Sequence, residues 1–409
     1  MTIKVRALLV TGLVMATIWM VGCGHYTCGI TFGNSSCTAS GGGISQGGGN
    51  TPTGDAFVYI ADPGEIQGFT FTKSSGTFAD NCTPTTCPQG LPSLNVGTEE
   101  WALAPQSKFL YVGYATSPSI IYEWGIGTDG ILTNGASSVY PFTFPFTVSG
   151  VGGQAMITNP TGTMLFVIDP TAGNAAIHVY QIGTSGGLTE IGVGTLLPSG
   201  FQPYNLAIDG LGKYLYVSNV VGSNTTQIMA YSIANGVLST VTGSPFSSNL
   251  IQMQGDSTGQ FMVGTTSTIA NNDPNLYVMT ITQTGANAGA PTLLGSIATV
   301  HPPAGVAVQP SSGGTLVYSF SITGAGIGGP VEGYTINTST GALAPISGFA
   351  FQAGGDAIQF DQAGKFLFAR DLFGKIMVIY DVSDPTLANS VGSGVWEQNP
   401  WAWVATDIP

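Results

Sequence analysis

Short apolar runs, each led in by a tight polar turn, recur along this chain. The clearest is Tyr214-Leu215-Tyr216-Val217, which directly follows Asp209-Gly210-Leu211-Gly212. A half-exposed strand alternates apolar and polar residues, whereas an unbroken apolar run predicts a strand buried on both faces. The Asx-x-x-Gly stretch before it predicts a turn in which the Asx side chain bonds its own backbone and Gly closes the bend. The same phrase returns as NPTGTMLFVID at 159–169, DSTGQFMVGTT at 256–266 and DQAGKFLFARD at 361–371. Looser copies are QPSSGGTLVYSF at 309–320, APQSKFLYVGY at 104–114 and DAFVYIAD at 55–62. The equivalent apolar positions are Val58, Leu110, Leu165, Leu215, Met262, Leu316 and Leu367. They recur at a spacing of about 50 residues, which points to a repeat architecture.

Each anchor strand has company. A short apolar strand is predicted before each turn, at 101–104, 154–157, 204–208, 250–254, 304–308 and 356–360. Another follows the anchor, as at 120–124, 178–182, 228–233 and 376–380, and then a polar turn and an outer strand. Four strands in about 50 residues make one propeller blade. The expected fold is therefore all-β, a seven-bladed β-propeller over residues 55–409. The segment Trp401–Asp407 reads as an inner strand with no anchor after it, and the anchor at 55–62 has no inner strand before it. The two are expected to complete one blade between them and leave no open sheet edge.

Composition narrows the class. Gly (60) and Pro (24) supply about a fifth of the 409 residues, too many for long helices, while 43% apolar residues argue against a disordered chain. Lys and Arg number 8 against 21 Asp and Glu, a formal charge of −13. That charge repels phosphate backbones, so nucleic acid is not an expected partner.

The first 22 residues read as an export signal. Lys4 and Arg6 precede an apolar run from Ala7 to Gly22, shorter than the roughly 20 residues of a membrane span. The run ends in Met20-Val21-Gly22-Cys23, which resembles a bacterial lipobox, with Cys23 as the acylated new N-terminus. Removal of Lys4 and Arg6 would take the charge from −13 to −15. Residues 23–54, rich in Gly, Ser and Thr, read as a flexible lipidated tether. Four cysteines remain beyond it or within it: Cys28, Cys37, Cys82 and Cys87. An even count in an exported chain favours disulfides, and of three connectivities the local pairs 28–37 and 82–87 are expected. No metal site or cofactor is expected.

Candidate chemistry is sparse. Gly324–Gly329 spells GxGxxG, but Pro330 and a strand-like stretch follow where a dinucleotide site needs a helix start. Gly255–Gly259 and Gly183–Gly187 spell GxSxG, yet Ser257 falls in the repeat's own β-turn rather than on a nucleophile elbow. His178 lies on a predicted third strand as a half-buried, satisfied ring, and His25 adjoins the lipid-bearing Cys23. His301 stands just before an inner strand, where propeller loops surround one mouth of the central channel. The equivalent positions in other repeats hold Glu99, Glu100, Tyr204, Asp356 and Trp401. One ring of loops would gather His301, Glu99, Glu100 and Asp356, a set that acts as general base or holds a cation. The plainer reading is a polar rim that hydrates the channel mouth.

The repeat resembles the seven-bladed lactonase-like propellers and the related YVTN-type surface propellers of bacteria. Gln202–Asn219 carries the likeness most closely, and Gly243-Ser244-Pro245-Phe246 and Thr340-Gly341-Ala342-Leu343 resemble the outer-strand phrases of that group. The resemblance spans residues 55–409 and implies the fold. Enzymes of the group share a Gly-Pro-Arg-His phrase where an inner strand begins, and none of the equivalent positions here has it. The resulting expectation is a lipid-anchored binding or scaffold module at the cell envelope, periplasmic or surface-exposed. It would be monomeric, with envelope proteins or glycans as partners. The alternatives are a lactonase-like hydrolase acting on a neutral lactone, and a structural surface or adhesion protein.

Overall fold

The computed structural model describes residues 55–406 except 63–64, 81–100, 107, 115–118, 141–154, 171–172, 222–224, 267–272, 312, 323–327, 356, 372–375, 384–389 and 396–401. The described chain is all strand and turn. The strands are β1 (Ala56–Asp62), β2 (Glu65–Thr72) and β3 (Thr77–Asp80), then β4 (Trp101–Gln106), β5 (Phe109–Tyr114), β6 (Ser119–Ile126) and β7 (Leu132–Tyr140). Next come β8 (Met156–Thr158), β9 (Met164–Asp169), β10 (Ala176–Ile182), β11 (Leu188–Glu190) and β12 (Thr195–Leu196). They are followed by β13 (Pro203–Ile208), β14 (Tyr214–Val221), β15 (Thr225–Ala234), β16 (Val237–Thr240) and β17 (Phe246–Ser247). After these lie β18 (Gln252–Gly255), β19 (Phe261–Thr265), β20 (Asn275–Ile281) and β21 (Pro291–Ala298), then β22 (Pro303–Val308), β23 (Leu316–Ile322), β24 (Gly328–Ile336) and β25 (Leu343–Gly355). The last are β26 (Ala357–Phe360), β27 (Phe366–Asp371), β28 (Ile376–Asp381), β29 (Ser390–Val395) and β30 (Ala402–Thr406).

These strands pair as antiparallel meanders in a β-propeller. Six blades are each built from strands consecutive in the chain, beginning at β4, β8, β13, β18, β22 and β26. A further sheet has the order β3-β2-β1-β30 and so joins the first described strands to the last. In it Phe57 pairs with Thr406 and Ala61 with Ala402. The seven blades expected from the repeat thus stand as six blades of consecutive strands beside this mixed sheet.

The repeated turn forms as its side chains dictate. Asp209 Oδ1 accepts the N–H groups of Lys213 and Tyr214, each at 2.6 Å, and Oδ2 accepts that of Leu211 at 3.2 Å. Gly212 closes the bend with its N–H on the Asp209 carbonyl, at a φ of 68° that suits a residue without Cβ. Asp256 and Asp361 hold their turns the same way.

All seven anchor residues are buried on the strand that follows the turn or leads the mixed sheet. The unbroken apolar runs are explained by blade stacking. In β14, Leu215 and Val217 pack on Phe166, Ile168 and Ile177 of the preceding blade. Tyr214 and Tyr216 pack on Met253, Met262 and Met279 of the next. Truncating one such buried Leu to Ala costs about 2–5 kcal/mol. The mixed sheet joins this stack, since Phe71 meets Phe366 edge-on at 5.2 Å between ring centres, and Lys73 ion-pairs with Asp381.

Candidate functional site

Each innermost strand runs from a link end, where the chain arrives from the previous blade, to a turn end, where the Asx turn lies. His301 is at the link end, in the segment between β21 and β22. The partner that holds it is Glu332 on β24, a residue the sequence reading passed over. Glu332 Oε2 accepts the Val300 N–H at 3.0 Å, and Oε1 accepts the His301 N–H at 2.9 Å. The same Oε1 lies 3.2 Å from His301 Nδ1, and the Tyr334 hydroxyl donates to Oε2 at 2.6 Å. Thr299 Oγ1 donates to the His301 carbonyl at 2.7 Å.

This geometry has clear consequences. The Glu332 side chain is 9% exposed while the His301 ring is 47% exposed. With Nδ1–H facing a carboxylate, the lone pair of the ring falls on Nε2. The carboxylate–imidazole pair is the arrangement that orients a general base. Burial, reinforced by the Glu332 charge, pushes the Tyr334 phenol far above its usual range, so it stays a donor. β24 is the third strand of its blade, so the backbone of Glu332 stands two strand spacings, roughly 10 Å, from the innermost strand. A sequence signal for Glu332 existed: a lone carboxylate in an apolar strand, two residues before a tyrosine on the same face.

Tyr204, at the start of β13, is buried and bonded to Gln252 at the start of the neighbouring β18. Burial pushes its phenol up to about 12, partly offset by Gln252. Gln252 Oε1 in turn fills space that a Cβ on Gly305 of β22 would need. Three adjoining inner strands therefore meet through neutral groups. Glu99, Glu100, Asp356 and Trp401 lie outside the described residues, as do Cys23, Cys28, Cys37, Cys82 and Cys87.

Three further polar features lie toward the link end. Arg370, near the end of β27 and paired with Ala357 of the inner strand, is 9% exposed. It places a cation inside the sheet toward the link end. Asp273 accepts from Thr266, Asn275 and Tyr277 at 2.7–2.8 Å. Burial alone would raise its carboxyl, but these bonds carry it below the ordinary value. His178 on β10 lies 2.6 Å from Glu190 through Nδ1 and 3.8 Å from Asp169 through Nε2, the first a hydrogen bond and the second an ion-pair distance. Among the described residues, no three His, Cys, Asp or Glu side chains cluster closely enough to hold a metal ion.

Solved structures resemble this architecture. A Bacteroides fragilis protein named as a candidate 6-phosphogluconolactonase aligns with a TM-score of 0.59 at 15% identity, covering 88% of this chain and all of its own. The likeness is to lactonase-like β-propellers. A Pseudomonas aeruginosa periplasmic gluconolactonase aligns with a TM-score of 0.58 at 12% identity, over 87% of this chain and 99% of its own. A Lactobacillus plantarum protein aligns with a TM-score of 0.58 at 15% identity, over 86% and 99%. At such identities the likeness establishes the fold alone. No family model matches the chain, and no curated protein matches it.

Proposed function

We propose that this chain is a lipid-anchored cell-envelope propeller that acts as a binding or scaffold module. The observation that carries the reading is how Glu332 is used. Its two oxygens serve two backbone N–H groups, one phenol and one imidazole, so the group fastens the link into the blade. The neighbouring inner strands meet through Tyr204, Gln252 and Gly305, none of them charged. The absent Gly-Pro-Arg-His phrase agrees with this.

The ring is read as seven-bladed, with the mixed sheet as the seventh blade. In support, β30 neighbours both β26 and β4, while β4, β8, β13, β18, β22 and β26 neighbour one another in turn. Export and anchorage rest on Lys4, Arg6, the apolar run and Cys23. The likeness to a periplasmic gluconolactonase agrees with that location. In that compartment Cys28, Cys37, Cys82 and Cys87 would be oxidised. Envelope proteins or glycans are the proposed partners of a monomer.

The second reading is hydrolysis of a neutral lactone, with His301 Nε2 as general base and Glu332 orienting it. It is favoured by the exposed ring and its buried carboxylate. Glu99, Glu100 and Asp356 remain proposed neighbours of this mouth, with Trp401 on its rim. The test is hydrolysis of gluconolactone and of 6-phosphogluconolactone by the purified protein, wild type against His301→Ala. The module reading expects no turnover beyond buffer. Robust turnover of either lactone overturns it, and general-base help worth ~10²–10⁴-fold that disappears in His301→Ala assigns the reaction to this site.

A further inference from the structure

The Asx turns meet at the opposite end of the channel from His301. There a cavity of about 360 Å³ lies among the last residues of β8, β13, β18, β22 and β26 and the turns that follow them. Small-molecule sites occupy roughly 300–1,000 Å³, so this one suits a small ligand. The described residues lining it include no Lys and no Arg. Its two carboxylates, Asp209 and Asp361, each accept N–H groups of their own turns and add negative charge to the wall.

Neutral hydrogen-bonding groups remain at the wall. Ser257 lines the cavity, and its Oγ is buried without a partner. Buried hydroxyls are normally satisfied, and a rotation about χ1 of Ser257 would carry this orphan Oγ from its buried position to an outside partner. Gln254 Oε1 accepts the Val308 N–H at 2.9 Å, which holds that amide at the wall with its NH₂ as the remaining donor. Gln359 adds a second amide. Met253, Phe360, Pro160 and Pro310 supply apolar surface between these groups.

We infer that this turn-end cavity binds a small neutral polyhydroxylated molecule of about monosaccharide size. A hydroxyl and two primary amides offer the mixed donors and acceptors that sugar hydroxyls need, and the apolar residues suit their C–H faces. An anion would meet the negative net charge with no lining cation to offset it. The inference rests on the reading of the propeller as a binding module and gives that module a second site, remote from His301.

The test is calorimetric titration of the full mature protein in detergent with D-glucose, D-galactose and N-acetyl-D-glucosamine, against gluconate and glucose 6-phosphate. Saturable binding of at least one neutral sugar is expected, with the anions at least about tenfold weaker. Ser257→Ala combined with Gln359→Ala should lose about tenfold or more, while His301→Ala should bind as wild type. Should the double variant fail to fold, the side-chain NH₂ signals of Gln254 and Gln359 in labelled wild type should still shift on sugar titration. No saturation by any neutral sugar, equal binding of the anions, unchanged affinity in the double variant, or unmoved amide signals would each overturn the inference, water then being the occupant. Lactone turnover lost in His301→Ala would instead overturn the module reading, since the two ends of the channel answer to different variants.

Discussion

The Tyr216 hydroxyl donates to the carbonyl of Gly289 at 3.0 Å, latching one blade to a turn of the next. Tyr59 does the same to Gly130 at 3.0 Å, and Tyr111 to Gly186 at 2.9 Å. Burial raises the Tyr216 phenol, so it remains protonated and donating. A Cβ on Gly289 would stand 2.5 Å from Tyr214 Cδ1, and the residue has a φ of 90°. Tyr216→Phe should therefore cost about 1–2 kcal/mol in denaturant unfolding. Gly289→Ala should cost more, about 2–4 kcal/mol, because overpacking adds to backbone strain. Equal stability of wild type and Gly289→Ala would remove the latch from the account.

His178 makes stability depend on pH. Burial lowers the ring's pKa, but Asp169 and Glu190 outweigh it, and the net shift is upward. A raised folded-state value gives stabilisation that is fully present below the unfolded value of about 6.5 and is lost as pH rises through the folded value. The unfolding free energy of wild type should exceed that of His178→Gln near pH 5 to 6, and the gap should narrow as pH rises through the folded-state value. A gap that widens with pH would contradict the ion pairing.

Removal of β30 should open the ring. It pairs with β1 from Phe57–Thr406 to Ala61–Ala402, and the sheet it completes packs Phe71 on Phe366. Deleting 398–409 should lower the melting temperature far more than deleting 24–50. Identical melting of the two truncations would refute the closure by both chain ends.

The proposed anchorage turns on one thiol. Cys23→Ser should abolish incorporation of radiolabelled fatty acid, because the diacylglycerol is carried on sulfur. Equal labelling of wild type and variant would dismiss the lipoprotein reading.

The blades were legible because their signals are local. Asp209 and the N–H groups it binds lie within five residues of one another, and the run 214–217 announces two buried faces by itself. His301 was legible as a residue before an inner strand, yet its partner was not. Glu332 is 31 positions away, and only the pairing of β23 with β24, which sets Ser319 opposite Glu332, brings it under the link. Ser257 likewise read as a turn residue, and it is one, with the Gly259 N–H on the Asp256 carbonyl at 3.1 Å.

By itself, then, the sequence determined the repeat, the turn that opens each anchor strand and the burial of that strand on two faces. Hydrogen bonds within a few residues and side-chain alternation settle these without reference to distant parts of the chain. Only the tertiary structure decided that Glu332 holds His301 and that five turns meet around one cavity. Those contacts depend on sheet register and on which blade stands beside which, and both are fixed only when the stacked faces pack together.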